Sequence, residues 1–455
     1  MRRILAAVLL AALFALPAPA HQPASPGAEA QEVVIPSTPA GKQLAWVLGY
    51  LNNREQLGDP ADRFAESFLK QVPGERLKTI LESARATIFK NGAKLTRIKP
   101  DLTDSRLVAL VQGGDALLEV SIVTDGAGKM EGLLLRPAIP PKVAVADWKE
   151  FDDKLAALPG MVSFVAYRVP QGVFSVASLK PINALHPEQC LATGSTFKLY
   201  ILGALSEQIL AGKHAWDEQV AIADALKSLP GGVMQDEPAG KKFPISEFAA
   251  KMISISDNTA TDHLLHLTGR EAVEAYQSFD SCSARNRPFL ATMEMFRIKL
   301  APDKSLAARY AAADESTRRA LLKTEVAGVT PDLAFAEKWT KPIEIERIEW
   351  FSSANDLCNA MLKLHDLEQK PGMDELKRVL RINAGIPFDK KVWPSVAYKG
   401  GSEPGVLNLT WLMQREDGAT FVASLGWNNK DADVETNTLV GYARAMVDLL
   451  AKEPK

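Results

Sequence analysis

The sequence predicts an α/β protein of two domains, in which a small α+β domain precedes a larger domain of mixed helices and strands. A chain of 455 residues is long for a single domain. Its pattern changes from helical to strand-like near residue 92, and the proline-containing stretch 138–141 is typical of a linker. Beyond this stretch, a helix, two strands and a long apolar helix are expected in succession.

Composition excludes several classes of function. The formal net charge is −2, and it becomes −4 without Arg2 and Arg3, so neither a basic surface for nucleic acid nor an acidic tail is indicated. Apolar residues make up 47% of the chain and charged residues 24%, which is ordinary for a globular protein. Nucleic acid is therefore not an expected partner, and the expectation of a small-molecule substrate rests on the motifs at 195–198, 256–258 and 399–401.

The first residues have the pattern of a secretion signal. Two arginines precede an apolar run over 4–16, and the small residues 18–20 form a cleavage site, which predicts a signal peptide over 1–20. The run is too short to span a bilayer, and no other segment is long and apolar enough to do so. We expect the mature chain to be exported, to the periplasm or the medium, after cleavage near Ala20 and to have no integral membrane segment.

Residues 21–36 are rich in Pro, Ala, Ser and Gln and predict a flexible lead-in. The α+β domain is assigned to 37–140, with helical periodicity to about residue 90 and then an antiparallel sheet. Its strands are predicted at 93–98, 106–111, 116–123 and 130–136. This order resembles the cone-shaped cyclase and steroid-isomerase-like modules. No acid–base pair stands out, so a structural or substrate-gating role is favoured.

The second domain is assigned to 141–455. Helices are predicted near 148–158, 245–253, 259–268 and 439–450, with Gly269 ending the third. Strands are predicted at 161–168, 173–179, 395–401, 407–413 and 420–425.

Ser195 and Lys198 stand three residues apart at the start of a long apolar run. Thr193 or Gly194 can cap a helix there. At a spacing of three residues, the side chains of Ser195 and Lys198 would lie on one face of its first turns. Burial lowers the pKa of a lysine, which lets its amine take the proton of the serine hydroxyl. Most Ser-x-x-Lys tetrads are nevertheless exposed helix turns, so the hypothesis needs further motifs.

Two further motifs are present: Ser256-Asp257-Asn258 and Lys399-Gly400-Gly401. In this order the three motifs resemble those of the penicillin-recognising serine hydrolases, and residues 248–265 resemble a class A β-lactamase. The resemblance implies a lactamase-like α/β fold, with a helical subdomain and an antiparallel sheet flanked by helices. It also implies an acyl-enzyme at Ser195, with Lys198 as the base.

The remaining roles follow from the same resemblance and from the chemistry of the side chains. Ser256 would pass a proton to the leaving group while bridging Lys198 and Lys399. Asn258 would bind a substrate amide, Lys399 a substrate carboxylate, and the N–H groups of Ser195 and Ser402 the oxyanion. Gly400 and Gly401 imply a close backbone approach, and Asp257 is expected to hold the loop through backbone N–H groups.

Two departures from the class A pattern bear on activity. Gly400 stands where a hydroxyl residue is usual, with Ser402 as the candidate to replace its contact. The stretch that carries the deacylating glutamate is missing. Glu294 comes at about the right distance after Ser256, but its neighbours do not match and a helix-surface carboxylate is the favoured interpretation. We therefore expect slow turnover of β-lactams.

A narrower resemblance covers nearly the whole mature chain. Residues 287–290 and 398–408 resemble the two-domain serine hydrolases typified by the β-lactamase-like protein of the clavulanic acid biosynthesis cluster. This implies hydrolysis of esters or amides, with weak β-lactam hydrolysis. Three alternatives stay open: a true class A β-lactamase, a non-catalytic protein that recognises the cell wall or a ligand, and a D-alanyl-D-alanine peptidase.

No metal or cofactor is expected. His263 and His266 are the only close histidine pair and have no carboxylate between them. Among Cys190, Cys282 and Cys358, one pair can bridge in an oxidising compartment, but Cys190 is interpreted as a small buried side chain.

Overall fold

The computed structural model describes residues 33–90, 92–99, 103–114, 116–229, 231–336 and 339–454. The predicted signal peptide and the lead-in up to residue 32 lie outside the described residues. The chain divides into two compact units, Met1–Pro140 and Pro141–Lys455, and each is described by itself.

The N-terminal unit packs helices on one face of an antiparallel sheet with the strand order β1-β2-β3-β4. Its helices are α1 (Pro39–Leu51), α2 (Pro60–Arg63), α3 (Glu66–Leu69) and α4 (Gly74–Thr87). Its strands are β1 (Lys94–Ile98), β2 (Arg106–Gly113), β3 (Ala116–Thr124) and β4 (Met130–Pro137).

Local sequence explains where these helices begin. Thr38 Oγ1 accepts a hydrogen bond from Gly41 N at 3.1 Å, and a proline follows as the first residue of α1. Apolar residues of α1 and α4 then meet alternate residues of β3, such as Val120 and Ile122, in one buried cluster. The unit thus has a hydrophobic core of its own.

The C-terminal unit contains twelve α-helices within the described residues. They are α5 (Trp148–Ala156), α6 (Lys198–Leu210), α7 (Ile245–Ser254), α8 (Asn258–Thr268), α9 (Arg270–Tyr276), α10 (Thr292–Lys299), α11 (Ser305–Ala312), α12 (Glu315–Thr324), α13 (Leu333–Ala336), α14 (Ala354–Leu367), α15 (Asp374–Leu380) and α16 (Thr436–Ala451). Its strands are β5 (Met161–Val169), β6 (Asn183–Leu185), β7 (Leu191–Ala192), β8 (Gln219–Ala221), β9 (Lys242–Pro244), β10 (Phe351–Ser352), β11 (Ser395–Glu403), β12 (Val406–Gln414) and β13 (Thr420–Asn428).

The main sheet is antiparallel, with the order β11-β12-β13-β5-β6. Both of its faces are covered, so neighbouring residues of one strand belong to different cores. Leu412 packs with α6, α7, α8 and α14, whereas Trp411 packs with α5 and α16. This layering confirms the prediction of an antiparallel sheet flanked by helices. It also leaves β11 at the edge of the sheet.

The predicted strand at 173–179 is wrong. The segment contains a 3₁₀ turn at Val176–Ser178, and the edge strand paired with β5 is β6. Ser175 Oγ accepts from Ala177 N at 3.3 Å, and Asn359 Oδ1 accepts from Val176 N at 2.9 Å. Side chains therefore satisfy backbone groups that a strand would have paired, and apolar alternation alone did not reveal them.

Across the described residues, the structure contains no helix with both the length and the hydropathy needed to cross a membrane.

Candidate active site

Ser195 lies on a 3₁₀ turn, Gly194–Phe197, directly before α6. The expected side-chain cap is absent, because Thr193 N and Oγ1 both bond to Trp350 O, at 2.9 and 3.0 Å. Gly194 has φ +49°, a left-handed conformation that glycine adopts without steric cost. The turn thus presents Ser195 half-buried before the α-helix begins at Lys198, rather than in a capped first turn.

The Lys198 amine is fully buried and held by the second motif. Its Nζ donates to Ser256 O at 2.6 Å and to Asn258 Oδ1 at 2.8 Å, and it lies 3.2 Å from Ser256 Oγ. Burial lowers the pKa of Lys198 to about 7, against the opposing effect of Asp257 and Asp262. A neutral amine still satisfies both carbonyl oxygens with its two N–H groups, which leaves a lone pair to accept a proton.

Ser256 lies between two buried amines. Lys399 Nζ donates to Ser256 Oγ at 3.1 Å and also to Gly400 O. Ser256 has φ +59°, which is unfavourable for a residue with a side chain. Burial and the nearby Lys198 charge hold the pKa of Lys399 well below its usual value. The two amines therefore compete for positive charge, and an anion bound nearby would favour the charged form of Lys399.

Asp257 holds the loop through backbone N–H groups, as expected from sequence. Its Oδ1 accepts from Ala260 N at 2.8 Å and caps α8, and its Oδ2 accepts from Val233 N and Met234 N at 2.6 and 2.9 Å. The carboxylate is fully buried. It therefore fixes the neighbours of the site rather than facing a substrate.

The loop that passes over this motif was not found from the sequence. Asn258 N donates to Gly231 O at 2.8 Å, and Asn258 Nδ2 donates to Leu229 O at 3.3 Å. A β-carbon on Gly232 would lie 2.1 Å from Asp257 Oδ2. The Gly231-Gly232 pair was the available signal, because two successive glycines permit such an approach.

Strand β11 packs closely against the turn that carries Ser195. A β-carbon on Gly401 would lie 2.2 Å from Thr193 O and 2.3 Å from Ser195 N, so only glycine fits there. A β-carbon on Gly194 would lie 2.6 Å from Ser402 N. The structure therefore brings the backbone of Ser195 and Ser402 together at this contact.

A buried ion cluster lies beside both of these segments and was also not found from sequence. Lys299 Nζ bonds to Glu349 Oε1 at 3.0 Å and to Glu403, the residue after Ser402. Glu349 Oε2 accepts from Trp350 N at 3.2 Å. Burial and the Glu349 charge hold the pKa of Glu403 well above its usual value. Because the three residues are far apart in the chain, no local pattern predicts this cluster.

Glu294, the candidate deacylating base, is occupied elsewhere. Its two oxygens accept from Arg270 Nη2 and Nη1 at 2.7 and 3.0 Å, and Oε2 also accepts from Ala291 N at 2.8 Å. A carboxylate whose two oxygens are both bound by an arginine is poorly placed to activate water. The geometry agrees with the structural interpretation of Glu294.

Cys190 forms a disulfide with Cys282, which confirms that one cysteine pair can bridge and corrects the interpretation of Cys190 as a small buried side chain. Cys358 is free and buried. Sequence could not select this pair, since 92 positions separate the two residues. Cys282 also lies near Asp280 and Asp356 in a group with the spacing of metal ligands, but its sulfur is bonded to Cys190.

His263 does not have the environment of a metal ligand. Its Nδ1 bonds to Thr259 O at 2.7 Å and its Nε2 accepts from Ala223 N at 2.9 Å. Burial lowers the pKa of His263, so the neutral ring suits these two bonds.

Known families match both units of the chain. Residues 174–447 match the model of the beta-lactamase enzyme family. Residues 35–130 match the model described as ORF 12 gene product N-terminal. No curated protein matches the chain.

Similar solved structures include the beta-lactamase from Sphaerobacter thermophilus, with 17% identity and a TM-score of 0.47, over 68% of this chain and 99% of that one. The penicillin G acyl-enzyme of the L158E mutant of PBP-A shares 16% identity with a TM-score of 0.45, over 69% and 100% of the two chains. A beta-lactamase from Chitinophaga pinensis has 17% identity and a TM-score of 0.44, over 67% and 97%. At these values the similarities carry no inference about the site.

Proposed function

Since the chain belongs to the beta-lactamase enzyme family, we propose that it is an exported serine hydrolase that forms an acyl-enzyme at Ser195. Its substrates are esters or amides, and it hydrolyses β-lactams slowly. The observation that carries this proposal is the position of Ser256 Oγ, 3.2 Å from Lys198 Nζ and 3.1 Å from Lys399 Nζ. A hydroxyl between two amines can relay a proton from the base to the leaving group.

In the proposed reaction, Ser195 Oγ attacks the substrate carbonyl carbon and its proton moves to the lone pair of Lys198 Nζ. The N–H groups of Ser195 and Ser402 stabilise the oxyanion. Collapse of the tetrahedral intermediate breaks the bond to the leaving group, which takes a proton from Ser256. Ser256 is reprotonated by Lys198, so the proton taken from Ser195 ends on the leaving group.

Slow turnover of β-lactams follows from the second half of this reaction. The acyl-enzyme is released only when water is deprotonated beside the ester. The bonds of Glu294 to Arg270 Nη1 and Nη2 support the absence of a base at that position. A small ester leaves a small acyl group that admits water more readily than an opened β-lactam does. We therefore propose ester turnover together with a long-lived β-lactam adduct.

The domain assignments for the chain belong to the same proposal. We propose a signal peptide at 1–20, a lead-in segment at 21–36 and an α+β domain with a cone-like fold at 37–140, followed by a hydrolase domain at 141–455. Membership of the two-domain group typified by the clavulanic-cluster protein is supported by the separate family match over 35–130. We propose a structural or gating role for this domain.

Rapid-mixing kinetics with nitrocefin and p-nitrophenyl acetate test the proposal. The wild type should give a burst of nitrocefin opening followed by slow turnover, and steady hydrolysis of the ester. Ser195→Ala should abolish the burst. Ser206→Ala is a matched control on α6, because the Ser206 hydroxyl is buried without a hydrogen-bond partner. It should behave as wild type.

Fast steady-state nitrocefin turnover would favour a true class A β-lactamase instead. In that case Glu294→Gln should slow deacylation, which the proposal does not expect. If the wild type hydrolysed neither nitrocefin nor p-nitrophenyl acetate, a recognition protein would be favoured. Cleavage of D-alanine from purified peptidoglycan would favour the peptidase.

A further inference from the structure

Tyr398 precedes Lys399 in β11, and no residue that the structure describes bonds to its hydroxyl group. The ring is clamped between Trp411, with ring centroids 5.2 Å apart, and Gly385, where a β-carbon would lie 2.4 Å from Tyr398 Cζ. Tyr398 is half-buried, and within the described residues its hydroxyl neither donates nor accepts a hydrogen bond. It is also not among the hydroxyls sealed from solvent. A fixed phenol with a free hydroxyl is therefore available to a ligand.

The position of this hydroxyl explains the glycine at residue 400. A β-carbon on Gly400 would lie 2.0 Å from Tyr398 Oη, so the phenol fills the space that a side chain at 400 would occupy. Residues 398 and 400 lie on the same face of β11. The hydroxyl of Tyr398 therefore lies over Gly400, on the face of β11 that packs against Trp411.

Gly385, which packs against the ring, is connected by hydrogen bonds to the loop that carries Ser256. Gly385 N donates to Asn383 Oδ1 at 2.8 Å, and Asn383 Nδ2 donates to Ser254 O at 2.8 Å, two residues before Ser256. Lys399 Nζ bonds to Ser256 Oγ and to Gly400 O. The phenol and the Lys399 amine thus flank the same residue, Gly400, close to Ser256.

The two donors suit one kind of ligand group. Burial raises the pKa of Tyr398, so the group stays a phenol and donates at neutral pH. The pKa of Lys399 is held down by burial and by Lys198. A nearby anion opposes this effect and favours the protonated amine. A carboxylate accepts from both groups with its two oxygens, whereas a neutral ester offers no charge to Lys399.

We propose that Tyr398 Oη is a substrate-binding group that acts with Lys399 on a carboxylate next to the scissile bond. The inference rests on the proposed acyl-enzyme chemistry of this cleft and adds to it a residue that selects among its substrates. It makes Tyr398 the residue that determines the preference for anionic over neutral substrates.

The test compares kcat/KM for benzylpenicillin, which carries a carboxylate, with that for neutral p-nitrophenyl acetate. Tyr398→Phe should lower the ratio of the two values about ten- to a hundredfold, the usual effect of a hydrogen bond to a charged group. Tyr276→Phe is the matched control, because its hydroxyl is buried and also has no partner. It should leave the ratio unchanged. An unchanged ratio in Tyr398→Phe would overturn the inference.

Two further measurements separate this inference from the proposed chemistry. In the Ser195→Ala background, calorimetry should show weaker benzylpenicillin binding when Tyr398→Phe is added, whether or not acylation occurs in the wild type. No binding, or equal binding, would overturn the inference. Gly400→Thr alone should lose anionic preference through the clash with the phenol, and Tyr398→Ala with Gly400→Thr should recover part of it. An unaffected Gly400→Thr single variant would also contradict it.

Discussion

The surroundings of Lys198 determine whether its amine carries a proton. Its amine is fully buried and bonded to Ser256 O and Asn258 Oδ1. An ammonium group in this position loses its hydration, and the charges of Asp257 and Asp262 offset this loss only in part, so the pKa falls to about 7. The same burial that would make a charged lysine costly makes a neutral lysine useful as a base.

The pH dependence of acylation follows from this pKa. Below about pH 7 the Lys198 amine is protonated and has no lone pair, so the acylation rate of p-nitrophenyl acetate should rise with pH and level off above about pH 7. Single-turnover rates from about pH 5 to about pH 9 measure it. Near-ultraviolet circular dichroism at each pH checks that the fold persists. A flat profile, or one that falls through this range, would show that Lys198 is not the base.

The three motifs could be selected from the sequence as candidates, because each has a distinctive neighbour at fixed spacing. Ser195 with Lys198, and Ser256 with Asn258, are local patterns. Tyr398 could not be selected in the same way, since its hydroxyl matters only because Gly400 and Gly385 make room for it. Contacts made through space leave no periodic signal in the chain.

Among the elements, strand β11 packs closely on the 3₁₀ turn and thereby positions Ser195, the proposed nucleophile. Gly401→Ala would place a β-carbon 2.2 Å from Thr193 O, so strand and turn must separate and the oxyanion donors move apart. We expect acylation to fall by about a hundredfold or more. Gly328→Ala is the control, because a β-carbon there meets nothing within 4 Å. Equal acylation by the two variants in single-turnover assays would contradict the packing argument.

The start of α8 links the fold to the site in a second way. Asp257→Ala removes a helix cap and two loop bonds, which should cost about 1–3 kcal/mol and also impair acylation, because Ser256 and Asn258 lose their support.

Asp314→Ala provides the comparison, since Asp314 caps α12 by accepting from Thr317 N at 2.8 Å. It should cost stability alone. Urea unfolding measures the first effect and acylation rates the second. If both variants lost stability and neither lost acylation rate, Asp257 would have no role in positioning the site.

Elements with a strong period could be predicted, and irregular ones could not. Helix α5 and strand β5 lie where apolar periodicity indicated them. The segment 173–179 has strand-like alternation, yet Asn359 Oδ1 bonds to its backbone and a 3₁₀ turn forms. A residue about 180 positions away cannot enter a local prediction. Tertiary hydrogen bonds therefore overruled propensity at this point.

In the whole molecule, the Cys190–Cys282 disulfide constrains the C-terminal unit. It closes a loop between residues 92 positions apart, so reduction should lower the free energy of unfolding by about 2–5 kcal/mol. Urea unfolding of the oxidised and reduced protein measures the difference. Cys358→Ala is the control, because this thiol is free and its loss should leave the effect of reductant intact. Superimposable curves with and without reductant would contradict it.

The chain divides between Pro140 and Pro141, within the proline-containing stretch 138–141 that indicated a linker. The helices and strands of each unit pack on separate cores. The pairing order of the main sheet was not visible in the same way. Strand β5 lies between β13 and β6 although about 250 residues separate it from β13. Only the family resemblance, and no local pattern in the sequence, indicated long-range pairing of this kind.

An acyl-enzyme at Ser195 changes the intact mass of the mature protein after incubation with nitrocefin. We expect a stable mass increase equal to one nitrocefin molecule in the wild type and in Ser206→Ala, and none in Ser195→Ala. An adduct that persists in Ser195→Ala would place the nucleophile elsewhere. No adduct and no hydrolysis of nitrocefin or p-nitrophenyl acetate by the wild type would contradict the hydrolase account.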